Sequence, residues 1–172
     1  IYAQVLENYK ELNRVIYLGG LETDKEELQD ENGMIYFRVL DEEYQSKEDI
    51  EKLMKSVLSE KYIREYMQWV LEEEKPLFKE LDGELCIAMK DGMGIGIATH
   101  IDSFYKFDDT LLQFLGHNEE KSYFVSLVKQ GDKWFINELS IMGVAPTNYG
   151  RAKAGVEAYL SMFPQETEEI RA

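Results

Sequence analysis

The chemistry-bearing residues of this 172-residue chain are few: two histidines, one cysteine and a short run of closely spaced glycines. His100 stands two residues before Asp102 in "IATHIDSFYKF". Within a strand His100 faces opposite to Thr99, with Asp102 nearby. Such a histidine–carboxylate pair could be a general base oriented by its partner, but no second half of a catalytic set is visible, and a solvent-facing or hydrogen-bonded histidine is the favoured reading. The second histidine, His117, lies in "Gly-His-Asn" and reads as part of an exposed turn. Cys86, between Leu85 and Ile87, has the surroundings of a small core residue. A nucleophilic thiol needs an electropositive neighbourhood that this stretch lacks.

The glycines fall in "LFKELDGELCIAMKDGMGIGIATH", at 92, 94 and 96. A phosphate-cradling Walker loop would follow its glycines with Lys-Ser/Thr, and no such pair is present. A dinucleotide fingerprint needs a helix after the glycines to receive the pyrophosphate, but "IGIATHIDSFYKF" is β-branched, aromatic and strand-like. Asp91-Gly92 therefore reads as a hairpin turn. Gly94 and Gly96 then serve a bend in the next strand, or the close approach of a packed helix.

Two other clusters invite chemistry. "DKEELQDENG" places Asp30, Asn32 and Gly33 as a calcium loop might, yet the ligand spacing fails and no glutamate closes it. It reads as a solvated acidic loop spanning 22–33. The aromatic residues Tyr36, Phe37, Tyr62, Tyr66, Trp69, Tyr123, Trp134 and Phe135 are numerous enough to line a pocket, although such spacings usually fill a core. One thiol and two histidines are too few for a zinc site of the usual ligand sets, so neither metal nor cofactor is expected.

The elements that must position these residues follow from periodicity. Tyr2, Val5, Leu6, Tyr9, Leu12, Val15 and Ile16 recur at three-and-four spacing, the mark of one apolar helix face, and Gly19-Gly20 ends it. "MIYFRVL" at 34–40 reads as a strand. Ser46 with Asp49 forms a capping box opening a helix with Ile50, Leu53, Met54 and Val57 inward. A second helix carries Tyr62, Ile63, Tyr66, Met67 and Val70 and stops before Pro76. Beyond it the period changes to two. Turns at Asp82-Gly83, Asp91-Gly92, Gly116-His117-Asn118 and Gly131-Asp132 separate strands near 77–81, 84–89, 94–107, 111–116, 121–129 and 133–140. Val156, Tyr159, Leu160 and Phe163 predict a terminal helix after Pro146.

Helices followed by consecutive hairpins give an α+β order, not the alternation of a parallel sheet. The expected architecture is a strongly curved antiparallel sheet packed on N-terminal amphipathic helices, a cystatin-like or nuclear-transport-factor-like cone, plus a C-terminal helix. In domain terms that is one α+β domain over 1–145 and a helical tail over 146–172. The formal net charge of −15 disfavours nucleic acid and anionic membrane surfaces. The apolar runs are too short to span a bilayer. A start at Ile1 suggests that an upstream leader has been removed.

Three segments together resemble a known family. They are "MIYFRVLDEEYQSKEDIEKLMKSVLSEKYIREYM", "PLFKELDGELCIAMKDGMGIG" and "SYFVSLVKQGDKWFINEL". With the helix opening on "SKEDIEK", the "ELDGEL" strand pair and the closing "KQGDKWFI" hairpin, residues 32–140 resemble the IseA (YoeB) family of cell-wall DL-endopeptidase inhibitors. The resemblance implies a secreted, non-catalytic protein of cystatin-like fold. Its members block the groove of cysteine-peptidase domains that cut peptidoglycan stem peptides, and so restrain autolysis in Gram-positive bacteria. An acidic surface suits that role, because charge complementarity with a basic wall hydrolase speeds encounter.

Three functional expectations follow. The first is a secreted or cell-surface inhibitor that meets a cell-wall cysteine-peptidase domain through the turn Lys90, Asp91, Gly92, Met93 and Gly94, with no catalytic residues of its own. The second is a small-molecule binder or enzyme using the interior of the cone, with His100 and Asp102 as its polar groups. The third is an extracytoplasmic accessory domain of a larger protein.

Overall fold

The computed structural model describes residues 1–89 and 96–144 of the chain. They divide into two compact units, one comprising Tyr2–Ile95 and the other beginning at Gly96. Both are antiparallel, so the α+β class holds. The strands are shared between two four-stranded sheets, where the sequence suggested a single one. The terminal helix and the tail expected over 146–172 lie outside the described residues.

The first unit opens with α1 (Tyr2–Ile16), which buries Val5, Tyr9, Leu12, Val15 and Ile16, the apolar stripe of its sequence. Gly19 takes the left-handed conformation, with φ 62°, and the Gly20 N–H returns to the Arg14 carbonyl at 2.9 Å, closing the helix as glycine caps do. Next come β1 (Thr23–Gln29) and β2 (Ile35–Val39). The acidic stretch expected as loop is thus largely a strand. It lies at the edge of the sheet, in the order β1, β2, β4, β3, where charged side chains keep water and block further pairing. Here β3 is Phe78–Leu81 and β4 is Glu84–Ala88.

Between β2 and β3 run α2 (Lys47–Val57), α3 (Glu60–Tyr66) and α4 (Gln68–Leu71). The Ser46–Asp49 capping box is present in both directions. The Ser59 hydroxyl caps α3 by accepting the Tyr62 N–H at 3.1 Å. The single second helix of the sequence reading is interrupted at Met67, which closes α3 and opens α4 with non-helical dihedrals. β3 and β4 meet at Asp82-Gly83, both at positive φ (53° and 82°), the pair of left-handed residues that a two-residue hairpin requires.

The second unit is four consecutive strands in chain order: β5 (His100–Phe107), β6 (Leu111–His117), β7 (Lys121–Gln130) and β8 (Lys133–Val144). Strand β5 begins at His100, so residues 96–99, expected within it, precede it as coil. The turn read at Gly116-His117-Asn118 is displaced. Gly116 and His117 belong to β6, and the turn starts at Asn118, whose Oδ1 accepts the N–H groups of Glu120 and Lys121 at 2.9 and 2.8 Å. Asp108 does the same for the β5–β6 connection, accepting from the N–H groups of Thr110 and Leu111, each at 2.8 Å.

Candidate functional site

Strand β5 pairs with β6 from Phe107↔Leu112 to His100↔His117, with irregularities between Ile101 and Ser103 and between Phe104 and Lys106. Each is a bulge that lets two residues of β5 oppose one of β6. The effect on facing is large. Ile101, Phe104 and Phe107 stand opposite Gly116, Phe114 and Leu112, so a spacing of three, not two, lines one side of the edge strand. Asp102 and Tyr105 fall to the other side, against His117 and Phe124.

On that other side a polar cluster forms. His117 Nδ1 meets both carboxylate oxygens of Asp102, at 2.8 and 2.9 Å. The carboxylate only accepts, so this contact places the proton on Nδ1 of His117. His100, directly across the ladder, stacks on His117 with ring centroids 5.1 Å apart and planes 11° from parallel. Its Nδ1 lies 3.0 Å from the Thr99 hydroxyl, and that hydroxyl also reaches the His117 carbonyl at 3.4 Å. Beyond the cluster, Leu115 and Phe124 are buried with Tyr105 and Met142 packed against them.

Both His100 and Asp102 therefore belong to one cluster, as their spacing suggested, but its centre is His117. Sequence reading assigned that residue to an exposed turn because a glycine precedes it. Gly116 has another purpose: a Cβ there would come within 2.3 Å of the His100 carbonyl oxygen and 2.7 Å of the Ala98 Cβ. Likewise a Cβ on Gly96 would lie 2.3 Å from the Tyr123 hydroxyl, so that glycine admits a tyrosine where the packing of a helix was one expectation. The residues Lys90, Asp91, Gly92, Met93 and Gly94 lie outside the described residues.

On the first side of β5 the picture is apolar. Phe114 is fully buried, while its cross-strand neighbour Phe104 is 61% exposed and Phe107 is 67% exposed. Ile101 on β5 and Ile141 on β8, which lie in one row with Gly116 and Tyr123, are exposed as well. Leu112, Phe114 and Tyr123 on the central strands are covered, and Ile101, Phe104, Phe107 and Ile141 are not.

No family model, curated protein or solved structure matches this chain.

In the other unit the polar groups are held by structure. The Asp30 side chain accepts the N–H groups of Asn32 and Met34, both at 2.9 Å, and the Lys79 ammonium at 3.0 Å. The Met34 N–H is the largest influence holding its carboxyl below the usual range, with Lys79 adding to it. Asp30, read as part of a calcium-like loop, thus fastens the β1–β2 turn to β3. Cys86 is fully buried in β4, and burial pushes its thiol up. Arg14, Glu22, Leu40, Asp41, Glu42 and Glu43 line an open depression of about 460 Å³. Its guanidinium is already engaged by Glu11 at 2.7 Å and the Gly20 carbonyl at 2.6 Å. Among the described residues, no three of His, Cys, Asp and Glu are grouped to hold a metal ion, and no helix is long and apolar enough to cross a membrane.

Proposed function

We propose that the chain is a secreted or cell-surface binding protein without catalysis of its own, which inhibits a cell-wall cysteine-peptidase domain by occluding its groove. The observation that carries this reading is the apolar rim of β5. Ile101, Phe104 and Phe107 project together from an edge strand, and large exposed side chains on one surface are the usual anchors of a protein interface. The net charge of −15 supplies the second support, because it steers association with a basic partner and repels phosphate-bearing ones. The resemblance of residues 32–140 to the IseA family names the partner class. In this reading the helix-backed unit is the cystatin-like lobe, and the stretch 90–94 supplies a second contact.

The test is a binding and hydrolysis assay with Gram-positive DL-endopeptidase domains. The wild-type chain slows peptidoglycan cleavage, and the double variant Phe104→Ser/Phe107→Ser loses most of that effect while keeping its fold. Absence of both binding and inhibition across a panel of such domains sinks the proposal.

A second reading rests on the Asp102–His117 contact, in which a carboxylate orients an imidazole as a general base requires. It makes the protein a small-molecule binder or enzyme using His100, His117 and Asp102. Ligand-induced shifts of the histidine ring signals in a metabolite screen are its expected sign.

A further inference from the structure

We propose that the C-terminal segment, through Val156, Tyr159, Leu160 and Phe163, docks on the Leu115–Phe124 side of the second sheet and walls in the histidine cluster. This is independent of the inhibitor reading. The argument begins with β7, in which every residue from Ser122 to Leu127 is buried. Successive residues of a strand face opposite sides, so such a strand needs a layer on each face. The described part of this unit is one sheet with the coil 96–99 before it. That coil lies on the phenylalanine side: Cβ atoms on Gly96 and Gly116 would come within 2.3 Å of the Tyr123 hydroxyl and 2.7 Å of the Ala98 Cβ. On the histidine side, Leu115 and Phe124 are buried, but Tyr105 and Met142, packed against them, are only half-buried. This apolar strip needs a cover of its own.

Chain continuity names the occupant. Strand β8 ends at Val144, just past Met142, where it pairs with Lys121. The sequence beyond it, outside the described residues, carries Val156, Tyr159, Leu160 and Phe163 at three-and-four spacing. A helix over 151–163 is about 20 Å long, against about 23 Å for β6, so its stripe matches the strands it covers. Residues 145–150 reach about 20 Å when extended, enough to cross a four-stranded sheet whose strands lie about 4.8 Å apart. An isolated helix this short is marginal in water, and its apolar stripe is stable only on a surface. Val144 leaves the sheet at the end that holds His100, His117 and Asp102, so the segment passes over that cluster. The rim of Ile101, Phe104 and Phe107 stays open on the opposite side, and a partner there does not compete with the tail.

Paramagnetic broadening in the full chain tests the placement. A nitroxide is attached through Ser161→Cys, which lies off the stripe, while the native Cys86 is fully buried and stays unlabelled. The expected result is several-fold stronger broadening of the Leu115, Phe124 and Tyr105 signals than of the Phe104 and Phe107 signals. Adding Leu160→Asp is expected to abolish that difference and to shift the ring signals of His100 and His117, leaving the Ser46 cap amides in place. If Leu160→Asp unfolds the chain, the labelled protein without it decides alone. Broadening centred on Phe104 and Phe107, or none at either group, overturns the proposal. So does broadening seen only when nitroxide-labelled and isotope-enriched chains are mixed, which assigns the strip to a second copy.

Discussion

The two units use their polar and aromatic residues in opposite ways. In the helix-backed unit the charges are consumed by the architecture: Asp30 takes Lys79, Glu11 takes Arg14 and the Tyr44 hydroxyl, and Asp49 closes the Ser46 cap. Tyr36 follows suit, its hydroxyl donating to the Pro76 carbonyl at 2.9 Å inside the unit. In the hairpin unit, β5 turns its phenylalanines outward on one side and gathers two histidines and an aspartate on the other. Groups satisfied internally hold a fold together, and groups left facing water are available to a partner.

The sharpest way to break this comparison is at one cross-strand pair. Phe114→Ala, in a fully buried position, is expected to cost about 3–5 kcal/mol. Phe104→Ser, across the ladder from it, is expected to cost no more than about 0.5 kcal/mol. Urea unfolding of both variants decides it, and similar costs would mean that the β5 rim is not a free surface.

Gly116→Ala comes next. The added methyl collides with the His100 carbonyl and Ala98, and about 1–3 kcal/mol of strain is expected, together with loss of the His100–His117 stacking in histidine NMR spectra. Ser46→Ala removes one side of the α2 capping box in the helix-backed unit. It is expected to cost about 1 kcal/mol by thermal melting and to leave the histidine spectra unchanged.

The finest distinction is a pH trend. Asp30 is held below its ordinary value, so its stabilising effect is present above the ordinary carboxylate range. It is lost as pH falls through the depressed value. The wild type is therefore expected to exceed Asp30→Asn in stability at neutral pH, with the gap closing in strong acid. A constant gap across the titration would remove Asp30 as a charged anchor.

Much of the helix-backed unit was legible because its signals are local. The three-and-four stripe of α1, the glycine stop at Gly19, the Ser46–Asp49 box and the Asp82-Gly83 hairpin each involve residues a few positions apart. The break at Met67 and the conversion of the 22–33 stretch into strand β1 were not legible. A strand of Asp, Lys and Glu has no pattern of its own and forms because β2 offers it an edge.

The candidate site was half legible. Nearness in the chain placed His100 with Asp102, but His117 joined them only through pairing. Two extra residues in β5 bring His100, not Asp102, directly opposite it. By itself the sequence determined the α+β class, the caps, the turns at Asp82-Gly83 and Gly131-Asp132 and the acidic charge, since these depend on neighbours along the chain and on composition. Tertiary structure decided the division into two sheets, the outward phenylalanine rim and the histidine–aspartate cluster. Those depend on register between strands, which is settled by which faces can be buried together and which bulges that burial tolerates.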